Sequence, residues 1–544
     1  MASPRQDEGS DRAGPGALGW SGLDGPIIRH APLAAGFGLG LLVALAPLPF
    51  GAVEPEAVAA LRLAAALLLI LAIPVLASPN PASPTRHGGV SGGGRSSLAP
   101  VAVPALALLA FTVLGLAQAM PWPPGVAGLL SPGHAAAWSE TAEILAAVDE
   151  AEGGEALVDE EAAAEGGGPE VPAWPRLSLD PGASRSAAID AAALAALLVT
   201  AALVGRSRRR RRRWLAACLL AGALFQVLYG VRQLLAGSLQ VWGEGVLGVA
   251  DRLRGTYVNP NHVSYLLEIA LAATFAWGWW ALRKARREPN LERRLLLTLP
   301  PLVTWLALLS GLVLTQSRAG LVAVLVATTV QGVLVAVPRR RWKTAPAGLA
   351  AMLVGLGIVA AVGAQQGFSR LFGTSLADVS WGARTTVSRL SLELWARFPL
   401  SGSGLGSFAD AFTALEPADL AGDTWRHAHN GYVELAATGG LLALVAAGIG
   451  LVALVRRLQR VLLKGRRSED RAAALAALGA LASVAVHEAF DFGLTLPANA
   501  FVLVAVCGAA AGARTLHRHR ERGEAVGAEA AVDGDDLDQV QAGG

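Results

Sequence analysis

An all-α polytopic membrane protein of about 12 transmembrane helices is the fold this sequence predicts, and three observations predict it. The first is apolarity: 53% of the 544 residues are hydrophobic and 16% are charged, a balance too apolar for a soluble domain of this length. The second is run length, since the apolar residues fall in stretches of roughly 18 to 23, enough to cross about 30 Å of hydrocarbon as a helix. A membrane barrel would show alternating segments of about ten residues, and these runs do not alternate. The third is the placement of charge, which gives the spans a direction.

Twelve spans are expected near 33–50, 57–77, 99–118, 187–205, 214–235, 262–282, 295–315, 319–337, 345–364, 433–455, 472–488 and 498–513. Basic residues cluster in Arg206–Arg213, Arg283–Arg294, Arg339–Lys343, Arg456–Arg471 and Arg514–Arg522, each after an even-numbered span. These clusters carry 28 of the 45 lysines and arginines, and the positive-inside rule sets all five, with both chain ends, in the cytoplasm. The arginines of Arg206–Arg213 are read as a topology anchor and not as a nucleic-acid site, because no aromatic residues are interleaved with them. The first apolar run lacks a small-residue cleavage site, so a retained first helix is expected and no removable signal peptide. Cys218 and Cys507 lie inside apolar runs and suggest neither a disulfide nor a thiolate metal site.

The chain divides accordingly into a disordered cytoplasmic start, 1–30, the first three spans, 31–118, an insertion, 119–186, a membrane core, 187–513, and a disordered cytoplasmic tail, 514–544. The insertion holds twelve acidic and two basic residues with Gly and Ala runs, and reads as a solvated, largely disordered extracytoplasmic stretch. The second long outer loop, 365–432, has aromatics, balanced charge and an amphipathic stretch in which Val387, Leu390 and Leu394 share one side. Arg389, Glu393 and Arg397 follow at four-residue steps on another side, so a large structured extracytoplasmic loop is expected before helix 10.

Charge bias does not place polar groups on the outside, so those found there are informative. Arg252 and Arg254 lie in DRLRGTYVNPNH, Arg318 in TQSRAG, His427, His429 and Asn430 in WRHAHNGY, and His487 and Asp491 in HEAFDFGLTLPAN. Asn259, Pro260 and Asn261 read as a helix start with Asn261 as the cap. His487 and Asp491, four apart, read as a local pair. A His-x-His without a clear third ligand falls below the standard for zinc, and the glycines of SGSGLGSF have the wrong spacing for a dinucleotide fingerprint and read as turn residues. Arginine binds phosphate oxygens bidentately and stays charged, so it can offset charge on a departing diphosphate; histidine can take a proton from a hydroxyl near neutral pH.

These residues resemble the O-antigen ligase family, which includes polysaccharide polymerases and protein O-oligosaccharyltransferases. The resemblance spans roughly 210–513 and rests on RGTYVNPNH, LTQSRAGL, WARFPLSGSGLGSF, HAHNGYVELAATGGLLAL and HEAFDFGLTLPAN. It implies a helical bundle of the lipid-linked-sugar glycosyltransferase type, in the bacterial cytoplasmic membrane, with an extracytoplasmic active site and no metal or other cofactor. Arg254 and Arg318 would hold the diphosphate of a polyprenyl-linked glycan donor. His429, in a His-Asn pair with Gly440 after nine further residues, would act on a glycan, lipid or protein acceptor. Arg252, Asn259, Asn261, Arg384, Arg389, His427, Asn430, His487 and Asp491 are the further candidates for holding substrate. Membrane lipids are expected partners and nucleic acid is not. The alternatives are a polymerase of the same family and, from another class, a polysaccharide transporter or flippase. Against transport stands the expectation that the polar features crowd the outer edge and that the helices lack paired charges in mid-span.

Overall fold

The computed structural model of the protein describes residues 26–77, 98–151, 174–207, 209–238, 240–245, 251–336, 377–417 and 425–515. Among these, nine helices are long and apolar enough to cross a membrane, and two shorter apolar helices, His30–Leu45 and Pro497–Ala511, accompany them. In chain order the elements are α1 Pro26–Leu45, α2 Pro55–Ala72, α3 Ala102–Ala119, α4 Pro124–Leu130, α5 Pro132–Ala151, α6 Pro181–Ser207, α7 Arg209–Ala236, α8 Pro260–Ala285 and α9 Leu291–Thr315. There follow α10 Arg318–Ala336, α11 Ala377–Arg397, α12 Phe408–Thr413, α13 Gly431–Lys464, α14 Ser468–His487 and α15 Pro497–Ala511; the strands are confined to a two-residue hairpin, Gln240–Val241 with Glu244–Gly245. Eleven of the twelve expected spans fall on these helices, and the ninth, near 345–364, lies outside the described residues.

Small residues draw the helices together, as they must where lipid supplies no hydrophobic drive between them. Gly508 on α15 and Gly512, which caps that helix, face α6 so closely that a Cβ on Gly512 would stand 2.0 Å from the carbonyl oxygen of Ala202. Buried amides join the bundle further: Gln331 Nε2 on α10 donates to the carbonyls of Ala272 on α8, at 2.9 Å, and Leu475 on α14, at 3.0 Å. At one end of the bundle, arginines meet acids and helix carbonyls. Arg212 and Arg213 pair with Asp470 and Glu469, and Arg457 Nε donates to Ala511 O at the C-terminus of α15, at 2.8 Å, where a cation suits the helix dipole.

The helix α13 is broken. Gly440 lies at φ 63° and ψ −165°, a conformation that glycine adopts without a Cβ penalty. The loop 399–404 fills the break: Leu441 N and Leu442 N donate to the carbonyls of Pro399 and Leu400, while Ser403 N and Gly404 N donate to those of Ala437 and Thr438. Gly402, Gly404 and Gly406 all take positive φ, in keeping with the turn reading of SGSGLGSF, and a Cβ on Gly440 would stand 2.3 Å from Leu400 O. Four of the backbone groups freed by the break, Leu441 N, Leu442 N, Ala437 O and Thr438 O, thus find partners in this loop.

Two expectations need correction here. The flanks of the insertion are ordered: α4 and α5 occupy 124–151, and His134 is buried with Nδ1 2.8 Å from Ser131 Oγ and its ring 4.3 Å from that of Phe398. Burial pushes the His134 imidazole down to about 4. Gln118 is fully buried beside it, donating to Ser401 O at 2.6 Å and accepting from Leu405 N at 2.9 Å, so these flanks pack under the loop 399–407. Residues 152–173 lie outside the described residues. The second correction concerns charge inside the helices. Glu268, two turns into α8, and His487, the last residue of α14, are both fully buried and meet at 2.6 Å, and Arg62 on α2 forms a bidentate pair with Asp190 on α6 at 2.7 and 2.8 Å.

Candidate functional site

Five helix ends converge at the end of the bundle opposite the arginine-rich one: the starts of α8, α10 and α13 and the ends of α9 and α14. The two segments that carry the arginines are stitched together. Leu253 N donates to Leu314 O at 2.9 Å, Arg252 Nε to Thr315 O at 2.8 Å, and Gln316 Nε2 to Asp251 O at 3.0 Å. The turn between α9 and α10 is tight enough to hold Gln316 at φ 54°, a left-handed conformation rare outside glycine. Arg318 is exposed and begins α10, where the helix dipole disfavours a cation by up to about 1 kcal/mol, so helix stability does not account for it. Arg254, half-buried, donates from Nη1 to Val258 O at 3.0 Å.

The start of α8 differs from expectation in one detail. Asn259 is the cap, accepting from Asn261 N at 2.8 Å, and Pro260 takes the first helical position, where its missing N–H costs nothing. Asn261 is thereby released from capping and its amide works in two directions. Its Oδ1 accepts from Arg252 Nη2 at 3.2 Å, and its Nδ2 donates to Asp491 Oδ2 at 2.9 Å.

Asp491 is the centre of the arrangement. It is 1% exposed, and its other oxygen, Oδ1, lies 3.6 Å from His429 Nδ1, an ionic contact longer than a formed hydrogen bond. Burial would raise the Asp491 carboxyl, but its contact with His429 and the neighbouring His262 and His487 outweigh burial and hold it below the usual carboxylate range. His429 itself sits at φ 50°, strained by about 1–3 kcal/mol, and Nδ1 has no hydrogen bond among the described residues. Phe492 supports the ring edge-on at 5.0 Å, stacks on His427 at 4.0 Å and meets His262 edge-on at 5.0 Å.

Other candidates turn out to be braces. His427 Nδ1 lies 2.9 Å from Glu434 Oε1 while Glu434 Oε2 accepts from Ala428 N at 2.9 Å, so a single carboxylate on the first turns of α13 fixes the His-x-His backbone. Asn430 caps α13, accepting from Tyr432 N and Val433 N and donating to Ala489 O, which leaves little of its side chain for substrate. His487 pairs with Glu268 on α8 and stacks on Tyr265 at 4.0 Å; its side chain does not pair with Asp491 and reaches no surface. On α11, Val387 and Leu394 are buried as the amphipathic pattern requires, Arg389 is exposed and Arg384 is half-buried. The described contacts join neither arginine to the His429 cluster; the link from α11 is Ser388 Oγ donating to Ala428 O at 3.0 Å.

Glu434, Phe492, His262, Glu268 and Glu488 escaped the reading of the sequence. Glu268 had a signal, an acid inside an apolar run, and Glu434 had a weaker one, an acid in the first turn of a helix. Glu488, just past α14, accepts from Leu494 N at 2.8 Å, and burial pushes its carboxyl up to about 7.

The O-antigen ligase family model matches residues 302–448. The chain carries an O-antigen ligase domain. The matched stretch includes Arg318, Arg384, Arg389, His427, His429 and Asn430, while Arg252, Arg254, Asn259, Asn261, His487 and Asp491 lie outside it, and of these Asp491, Asn261 and Arg252 connect in turn to His429. No curated protein matches the chain. With its many apolar helices, the O-antigen ligase domain makes this a multi-pass membrane protein and a glycan-transferring enzyme that works on lipid-linked substrates.

Proposed function

We propose that the protein transfers or polymerises a glycan from a polyprenyl (undecaprenyl) diphosphate carrier onto an acceptor hydroxyl, at the outer face of a bacterial cytoplasmic membrane. The observation that carries this reading is the His429–Asp491 pair, with a buried carboxylate behind a strained histidine, at the bundle end where Arg254 and Arg318 stand. Arg254 and Arg318 would hold the diphosphate and offset the charge that grows as it leaves. Their guanidinium forks suit phosphate oxygens, and Arg318 sits on the N-terminus of α10, whose dipole also favours an anion. His429 would take the proton from the acceptor hydroxyl as that oxygen attacks the anomeric carbon, and Asp491 would steady the imidazolium that results. The carbon–oxygen bond to the diphosphate then breaks, and the lipid diphosphate leaves. The outward placement of this end is supported by the positive-inside rule, since basic clusters sit at the opposite ends of the same helices.

Purified protein, a polyprenyl diphosphate-linked glycan, and separate measurements of binding and transfer test this assignment. Arg254→Ala or Arg318→Ala is expected to lower transfer about 100-fold, on the order of 3 kcal/mol, with lysine rescuing in part. His429→Ala is expected to leave donor binding nearly intact while transfer collapses. Loss of donor binding in His429→Ala, with Arg318→Ala sparing both steps, overturns it.

A further inference from the structure

We infer that Arg252 and Asn261 are positioning residues that couple the donor-holding segment to His429, and that neither touches the donor. The inference rests on the reading that Arg254 and Arg318 hold the diphosphate, and adds how that event is felt at the histidine. Its basis is a continuous chain of contacts across four segments. Arg252 spends its Nε on Thr315 O, 2.8 Å away, and so grips the turn that leads into Arg318; its Nη2 reaches Asn261 Oδ1 at 3.2 Å. Asn261 Nδ2 passes the connection to Asp491 Oδ2 at 2.9 Å, and Asp491 Oδ1 faces His429 Nδ1 at 3.6 Å.

The chemistry of the junction is specific. A carboxamide offers an acceptor to the cation from one atom and a donor to the carboxylate from another, which lets it span the two. An aspartate at 261 would serve Arg252 but set two carboxylates against each other, and an alanine would leave both sides unserved. Asp491 is already held by this amide and by Phe492 N, which donates to its Oδ1 at 3.1 Å, so its orientation toward His429 depends on where Asn261 stands. Because the Arg252 and Arg318 segments are stitched by Leu253 N to Leu314 O and by Gln316 Nε2 to Asp251 O, a shift of the arginine segment is passed to Asn261. The 3.6 Å gap between Asp491 and His429 is the element that such a shift would close when donor binds.

Binding of undecaprenyl diphosphate in detergent and glycan transfer in native membranes are measured for Arg252→Ala, Arg254→Ala, Asp491→Asn and the double variant Arg252→Ala/Asp491→Asn. Arg252→Ala is expected to keep donor Kd within about two-fold and to lower transfer about 10-fold or more. The double variant is expected to be no slower than Asp491→Asn alone, because both changes break one chain. Multiplying losses in the double variant, or a rise in Kd for Arg252→Ala as large as that for Arg254→Ala, overturns the inference. An unchanged Kd in Arg254→Ala overturns the donor reading instead, and the comparison of single and double variants still decides whether Arg252 and Asp491 act together. Should Arg252→Ala fail to accumulate, Arg252→Gln, which loses the charge and keeps an amide donor, is put through the same measurements.

Discussion

Replacing Asp491 with Asn probes the site most directly, because it keeps the shape of a buried side chain and removes its charge. The Nδ1 to Oδ1 separation is 3.6 Å. Two unit charges at that distance attract by about 4–5 kcal/mol at an effective dielectric near 20, which bounds the loss at roughly 5000-fold in rate. His429 keeps some exposure to water, which weakens the attraction, so a fall of about 100-fold is expected. The amide at 491 would also present an N–H where the imidazole needs an acceptor, or else turn its donor toward Asn261 Nδ2; one of the two contacts is lost either way. Transfer rate at saturating donor, measured with the binding constant for the polyprenyl diphosphate-linked glycan, separates the effects. The expected result is a slow enzyme with donor affinity near wild type. A variant that transfers within about three-fold of wild type refutes the idea that Asp491 supports the histidine.

Two further outcomes follow from the geometry. Glu488 has a folded carboxyl raised to about 7 by burial, so it favours the protonated state: its contribution to stability is fully present below the ordinary glutamate value and is lost as pH rises from there to about 7, a loss of roughly 3 kcal/mol. Glu488→Gln keeps an acceptor for Leu494 N and is expected to raise Tm above pH 7 while leaving it unchanged near pH 4, as read by thermal unfolding in detergent across that range. Gly440→Ala would set a Cβ 2.3 Å from Leu400 O in a left-handed residue, and is expected to cost about 3 kcal/mol or more and sharply reduce folded protein on size-exclusion chromatography; normal yield and Tm would mean that the break in α13 is dispensable.

The helices were legible because membrane spanning is written locally: a run of apolar residues must satisfy its own backbone whatever its neighbours do. Their ends were less so. The first span was expected at 33–50, whereas α1 ends at Leu45 and Phe50 and Ala52 stand at positive φ in the turns beyond it. The insertion was misjudged because its acidic centre dominates the composition, while Pro124 and Pro132 open helices that bury Ala127 and His134. At the site, motif residues could be found by type and membrane side, but their partners could not. Which carboxylate meets His427, His429 or His487 depends on how α8, α13 and α14 pack, and sequence proximity pointed to Asp491 for His487 when Glu268, 219 residues away, is its partner. The cap at Asn259 was within reach, since a proline at the first helical position puts the cap just before it.

The buried polar features of the helices bear on whether this bundle moves cargo or holds a site. In a transporter, the backbone freed by a broken helix and the charges inside the membrane face the substrate path and stay available to it. Here both are consumed by the protein. The carbonyls and amides on either side of Gly440 bond to the loop 399–404, and Glu268 gives one oxygen to His487 and the other to Ser483 Oγ, at 2.9 Å, with no exposure of Glu268 or His487. Breaking such a pair by removing one partner costs about 3–5 kcal/mol, which anchors the last turn of α14 against α8. From that turn hang Glu488, Asp491 and Phe492, and the carbonyls of Glu488 and Asp491 both accept from Gly431 N, where α13 begins. The pair beneath α14 and the bonds from Gly431 N therefore anchor the two helix ends between which His429 is held, as a preorganised site requires.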